Sequence, residues 1–209
     1  DVQIANTRIG IALFMKDGGV FEHLDIDGLS IVTGSRHRTD YPVYVDLDRR
    51  FPDSTLGAIR QVRIANARIE TRGNLLIGGH PEAPIDGLRL ENVDVTLAAP
   101  VDIAALPGKP RGNMMLAGQT PGADFANVNA HLTVGHVRHV AVDGLRLHGA
   151  PDALGSRAGI ALRHVTQADL RDVTLAASGA PRAWLDDDGV GAVRVRDLDA
   201  ARGWTGVED

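Results

Sequence analysis

One short punctuation recurs along the chain: an aliphatic residue, any residue, then Asn, Gly or Asp. It appears at Ile4-Ala5-Asn6, Ile26-Asp27-Gly28, Ile64-Ala65-Asn66, Leu90-Glu91-Asn92, Val142-Asp143-Gly144, Leu170-Arg171-Asp172 and Val195-Arg196-Asp197. Asn, Gly and Asp are the residues that best tolerate a left-handed backbone, so each copy predicts a strand, a sharp αL bend and a second strand. Beyond the bend the apolar residues sit two apart, as in Leu29 and Ile31, Val93 and Val95, or Leu145 and Leu147. That is the period of a strand with one buried face, and a helix would space them differently.

Most copies start roughly 22 to 28 residues apart, and the step from Leu90 to Val142 reads as two such units. A further strand-like run falls between successive corners, at residues 12–16, 42–47, 74–77, 113–116, 159–162 and 183–185. RGNLLIGGHPEAP, residues 72–84, has an echo in RGNMMLAGQTPGA, residues 111–123. Two strand regions per repeat with loops of uneven length predict an all-β fold, a right-handed parallel β-helix (solenoid) of about seven coils, with residues 1–209 as one domain. A β-sandwich also has many short strands, but it does not demand the same bend residue at the same phase of every repeat.

Composition narrows the partners. A net charge of -5, with acidic and basic residues interspersed, argues against a nucleic-acid binder that works by neutralising phosphates. No apolar run approaches the ~18 residues of a membrane-spanning helix, so no membrane partner is expected. The chain has no cysteine, which rules out disulfides and Cys-based zinc sites.

The segment from Ile77 to Val95, IGGHPEAPIDGLRLENVDV, resembles the late repeats of polygalacturonase-type enzymes, glycoside hydrolase family 28. Residues 14–29, FMKDGGVFEHLDIDGL, and residues 42–46, PVYVD, are similar to two further stretches in the same order. The resemblance implies a β-helix enzyme that hydrolyses pectic or other uronic-acid-containing glycans by inversion, without a cofactor or metal, in a secreted or periplasmic setting. It places the catalytic aspartates in an N-T-D strand and a D-D pair, followed by a G-H-G turn, all ahead of an R-I-K repeat. None of the three precedes the matching repeat here. Lys16 matches the Lys of R-I-K, which implies contact with a substrate carboxylate; Phe14 stands where the Arg would be, and Arg49 falls near a position that is often Tyr. The chain also starts directly on a strand. The expectation is therefore the C-terminal part of a longer β-helix, with preceding coils or a partner chain covering the open end and carrying the main acid and base.

Read from the residues themselves, Asp46 and Asp48 in VYVDLDRR share one strand face and are the candidate catalytic carboxylates. Acidic residues on an outward face are otherwise solvated. Lys16, Asp46, Arg49, Arg50 and His80 are the candidate contacts to a polysaccharide or oligosaccharide substrate: Lys16 stands before the turn Asp17-Gly18-Gly19, and His80 follows a glycine pair. His136 and His139, three apart in a strand, face opposite sides, so no metal site is expected. Asp186-Asp187-Asp188-Gly189 reads as a solvated turn, since it lacks the spaced ligands of a calcium loop. The alternative functions are a non-catalytic glycan-binding or structural β-helix, and a polysaccharide lyase.

Overall fold

The structure is a computed structural model that describes residues 1–34, 40–98, 125, 128–149, 157–176, 182–201 and 204–205. All thirteen elements are strands: β1 (Val2–Thr7), β2 (Ile9–Met15), β3 (Val20–Thr33), β4 (Tyr41–Leu47), β5 (Ala58–Thr71), β6 (Leu75–Gly78), β7 (Asp86–Leu97), β8 (Ala130–Gly149), β9 (Ala158–Leu175), β10 (Arg182–Ala183), β11 (Leu185–Asp188), β12 (Ala192–Ala200) and β13 (Trp204–Thr205). Every named pairing between them is parallel.

The corners form where the punctuation predicts them. Asn6, Asn66, Asn92, Asp172 and Asp197 all have positive φ, as do Gly28 and Gly144. After the corner, Ile31, Ile69, Val95, Leu147, Leu175 and Ala200 stand in one register column, and Ile4, which precedes its own bend at Asn6, pairs onto Ile31 at its end. Most of that column is fully buried in one continuous apolar core. A second set of bends was not legible: His23, Gln61, His136 and His164 also have positive φ, in company with Gly87 and Gly189. Histidine visits this region more often than most residues, but too rarely for the sequence alone to mark a bend.

β1 to β8 hydrogen-bond in the order β1-β3-β5-β7-β8-β6-β4-β2. The path runs down the odd strands, turns in β8 and returns along the even ones. Its two ends, β1 and β2, are separated in the chain by Arg8 alone. The result is a nearly closed ring of eight parallel strands with a filled apolar interior, to which β9, β11 and β12 attach through β8. The expected right-handed parallel β-helix of about seven coils is corrected accordingly. That expectation takes each corner as the break between two strands, whereas here the αL residues bend the strands without ending them. β8 (20 residues) and β9 (18 residues) each run through both rows and fuse them into one sheet. The likeness to a (β/α)8 barrel is limited to strand number, parallel sense and a packed interior, because path neighbours are not consecutive and the thirteen elements defined among the described residues are all strands.

The long step from Leu90 to Val142 is also one layer, not two. Leu90 pairs directly with Val142, and Val93 with Leu145, so no strand intervenes. The strand run expected at 113–116, and the echo at 111–123, lie outside the described residues; the row is completed by Leu132 and Val134 of β8, opposite Leu75 and Ile77. Asp186-Asp187-Asp188 is strand β11, not a turn, and Gly189 takes the bend that follows it.

Candidate functional site

The site forms where β2, β4 and β6 end side by side. Met15 pairs with Leu47 and Asp46 with Gly78. The ladder continues past the strands through Asp48 N–H to the Met15 carbonyl (2.9 Å) and Arg50 N–H to the Lys16 carbonyl (2.8 Å). This register brings Lys16, Asp46, Asp48 and His80 together, although they are far apart in sequence.

Val43, Val45 and Leu47 alternate into the apolar core. Tyr44, Asp46 and Asp48 therefore point to the outer face, as expected, but they are not solvated: Asp46 is 1% and Asp48 3% exposed. Tyr41, Tyr44, Leu76 and Phe125 make a second apolar cluster on that face. Gly78 and Gly135 lie in the same register column as Asp46, and the Phe125 ring fills the space their missing side chains leave. Burying a carboxylate is costly unless charge and hydrogen bonds compensate.

Compensation comes mainly from Lys16, itself only 10% exposed at its side chain. Its Nζ donates to Asp46 Oδ2 at 2.5 Å and lies 3.9 Å from Asp48 Oδ2. Tyr44 Oη donates to the same Asp46 oxygen at 3.1 Å. Burial, then the negative Asp46, pushes the Tyr44 phenol far above its ordinary range, so it stays a neutral donor. Asp46 Oδ1 and Asp48 Oδ2 are buried without a hydrogen-bond partner among the described residues. Burial raises the Asp48 pKa and Asp46 adds to the rise; the Arg49 backbone N–H, Lys16 and His80 oppose it without cancelling it.

His80 sits in a tight turn closed by backbone hydrogen bonds to and from Ala83, 3.3 and 3.0 Å. The Glu82 backbone N–H donates to His80 Nδ1 at 3.1 Å. A neutral ring must then carry its hydrogen on Nε2, which lies 3.8 Å from Asp48 Oδ1. In that tautomer Arg49 Nη1, 3.4 Å from the same nitrogen, has no lone pair to bond. Arg49 is instead held by Glu82 through two parallel contacts of 3.0 Å, a fork that raises the Arg49 pKa and lowers that of Glu82. Arg50 does not join the cluster: it turns outward to Asp17, 2.7 Å away.

The structure thus gathers Lys16, Asp46, Asp48, Arg49 and His80, and leaves Arg50 at the edge. Two members went unmarked in the sequence, Tyr44 and Glu82. Each lies two residues from a marked one, Tyr44 on the same face as Asp46 and Glu82 beside His80. Among the described residues no group of three or more His, Cys, Asp or Glu could hold a metal ion, and no helix is long and apolar enough to cross a membrane. No protein-family model, curated protein or solved structure matches the chain.

Because the Asp48 pKa is raised in the folded state, its ionisation opposes folding. Protonated Asp48 costs nothing below its unfolded pKa near 3.8. Stability is lost as pH rises from there through the higher folded value, and the deficit is constant above it. Asp48→Asn is therefore expected to be more stable than the parent at neutral pH, with the gap closing as pH falls toward 3.8. Denaturant midpoints across a pH series check this; a gap that widens at acid pH would contradict it.

Proposed function

We propose that the chain takes part in hydrolysing a uronic-acid-containing glycan of the pectic class, with Asp48 as its general acid and Asp46 as its nucleophile. One observation carries the reading: two buried carboxylates on one face stand in unequal surroundings, one ion-paired to Lys16 and the other with a raised pKa. Environments that drive two carboxyls apart in acidity are how one site supplies both an acid and a base. Asp48, whose pKa burial raises, would in its protonated form give the proton to the glycosidic oxygen as the bond to the anomeric carbon breaks. Asp46, ion-paired to Lys16, would bond to that carbon, and a water deprotonated by Asp48 would then displace it and release the sugar.

The spacing favours direct attack by Asp46. Both Oδ2 atoms lie within 4 Å of one nitrogen, at 2.5 and 3.9 Å, which leaves them no farther apart than the roughly 6.5 Å at which an inverting pair begins to accommodate a water. Retention with a glycosyl–Asp46 intermediate fits this spacing better than the inversion implied by the family resemblance. His80 and Lys16 are the partly exposed side chains beside the pair, and Arg49 stands 3.4 Å from His80 with its guanidinium held by Glu82. A polymeric pectic substrate is met outside the cytoplasm, which makes a secreted or periplasmic setting part of the proposal.

A second reading, a glycan-binding or structural protein without catalysis, is favoured by the near-complete burial of Asp46 and Asp48 and by the rim arginines already held by carboxylates. Assays of reducing-end release from polygalacturonate and related uronic glycans separate the two. The hydrolase reading expects release that falls at least ~100-fold in Asp48→Asn, the scale of a lost general acid. Glycan binding without release by the parent chain would favour the second reading. Products absorbing in the ultraviolet as unsaturated sugars would indicate a lyase.

A further inference from the structure

The outer face of the strands that lead into the Asn/Gly/Asp corners carries many charges, but they are not balanced evenly. In its upper layers Arg63 is saturated, with Nη1 2.7 Å from Asp25 and 3.2 Å from Asp27, and Nε 2.7 Å from Glu91. In the lower layers two register columns run Ala141–Asp169–Arg194 and Asp143–Arg171–Arg196 across β8, β9 and β12. The short side chain of Ala141 leaves a pit of about 250 Å³, lined by these six residues with Val142 and Leu170. Three guanidiniums face two carboxylates there. Arg171 is ion-paired to Asp143, while Arg194 only approaches Asp169, at 3.6 Å. Among the described residues Arg196 has no ion-pair partner.

We propose that this pit binds one carboxylate-bearing sugar residue of an anionic glycan. Its volume is below the roughly 300–1,000 Å³ of a drug-sized pocket and suits a single ring. A guanidinium fork matches a carboxylate, so Arg196 holds the uronate group with Arg194 beside it. Asp143 and Asp169, acceptors only when ionised, receive the sugar hydroxyls. The pit shares no residue with the Lys16–Asp46–Asp48 cluster and acts as a separate holding site. The proposal rests on a uronic glycan being the ligand class, not on the cluster being catalytic.

The test is calorimetric or NMR titration of the whole chain with D-galacturonate, D-galactose and inorganic sulfate. Galacturonate should bind at least ~10-fold more tightly than either comparator, since only it offers both an anion and hydroxyls. Arg196→Gln should weaken it at least ~10-fold, and Ala141→Leu, which fills the pit and keeps every charge, should do the same. Arg60→Gln, which removes an exposed arginine outside both the pit and the Lys16 cluster, should bind it as the parent does. Galacturonate binding that survives both pit variants would overturn the proposal. So would equal binding of galactose, equal binding of sulfate, or no binding at all. Binding that passes these tests in a chain releasing no reducing ends would uphold the pit and reject the hydrolytic reading.

Discussion

Asp46→Ala is expected to lower the unfolding free energy by about 3–5 kcal/mol, the usual cost of removing one partner from a buried ion pair. The loss comes less from the vanished attraction than from what remains. Lys16, nearly enclosed, would keep only Asp48 at 3.9 Å as a counter-charge, and the Tyr44 hydroxyl would lose its acceptor. Denaturant unfolding of a double-mutant cycle tests the cause. Lys16→Met together with Asp46→Leu removes both charges and keeps the volume, so it should recover more than half of the loss. If the double variant is as unstable as the single, the damage lies in packing and the electrostatic account fails.

Gly79→Val is expected to cost about 3 kcal/mol or more, or to prevent folding. A Cβ at Gly79 would overlap the carbonyl oxygen of His136 and lie 2.9 Å from the Ile85 backbone nitrogen. Neither is a flexible side-chain tip that can move aside. Both belong to the backbone ladder, since the Gly79 N–H donates to the Gly135 carbonyl (2.8 Å) and the Ile85 N–H to the His136 carbonyl (3.0 Å). Gly79→Ala should show a smaller loss of the same sign. A Val variant with a denaturant midpoint close to the parent's would mean that β6 and β8 can separate at this point at little cost.

In the glycine pair that His80 follows, Gly79 is there so that two backbones can pass closely. The corners were legible because Asn, Gly and Asp are the residues whose own energetics favour positive φ. Bends carried by His23, Gln61, His136 and His164 were not, since tertiary packing imposes a conformation those residues do not signal. Merging of the two strand rows into one ring also escaped notice, because it depends on strands running through their corners unbroken. Lys16, Asp46, Asp48, Arg49 and His80 could each be marked on local grounds. Their meeting could not, because pairings such as Asp46 with Gly78 are set by long-range register. Nor could the burial of Asp46 and Asp48, since the outer strand face on which they lie is solvated by default and is covered here in part by Phe125 and Tyr44.

The direct pairing of Leu90 with Val142 has an evolutionary corollary. A parallel ladder specifies where a strand must return and is indifferent to how much chain is spent on the way back. Doubling a loop adds only ~0.6 kcal/mol of closure entropy. The stretch between β7 and β8 can therefore lengthen, shorten or change composition while the strands on either side keep their registers. Phe125 comes from that stretch, and its ring rests against Gly78 and Gly135, in the same column as Asp46. One wall of the acidic cluster is thus furnished by a residue from a connection whose length the ladder does not fix, so selection could reshape the site's neighbourhood there without disturbing the strands that hold it.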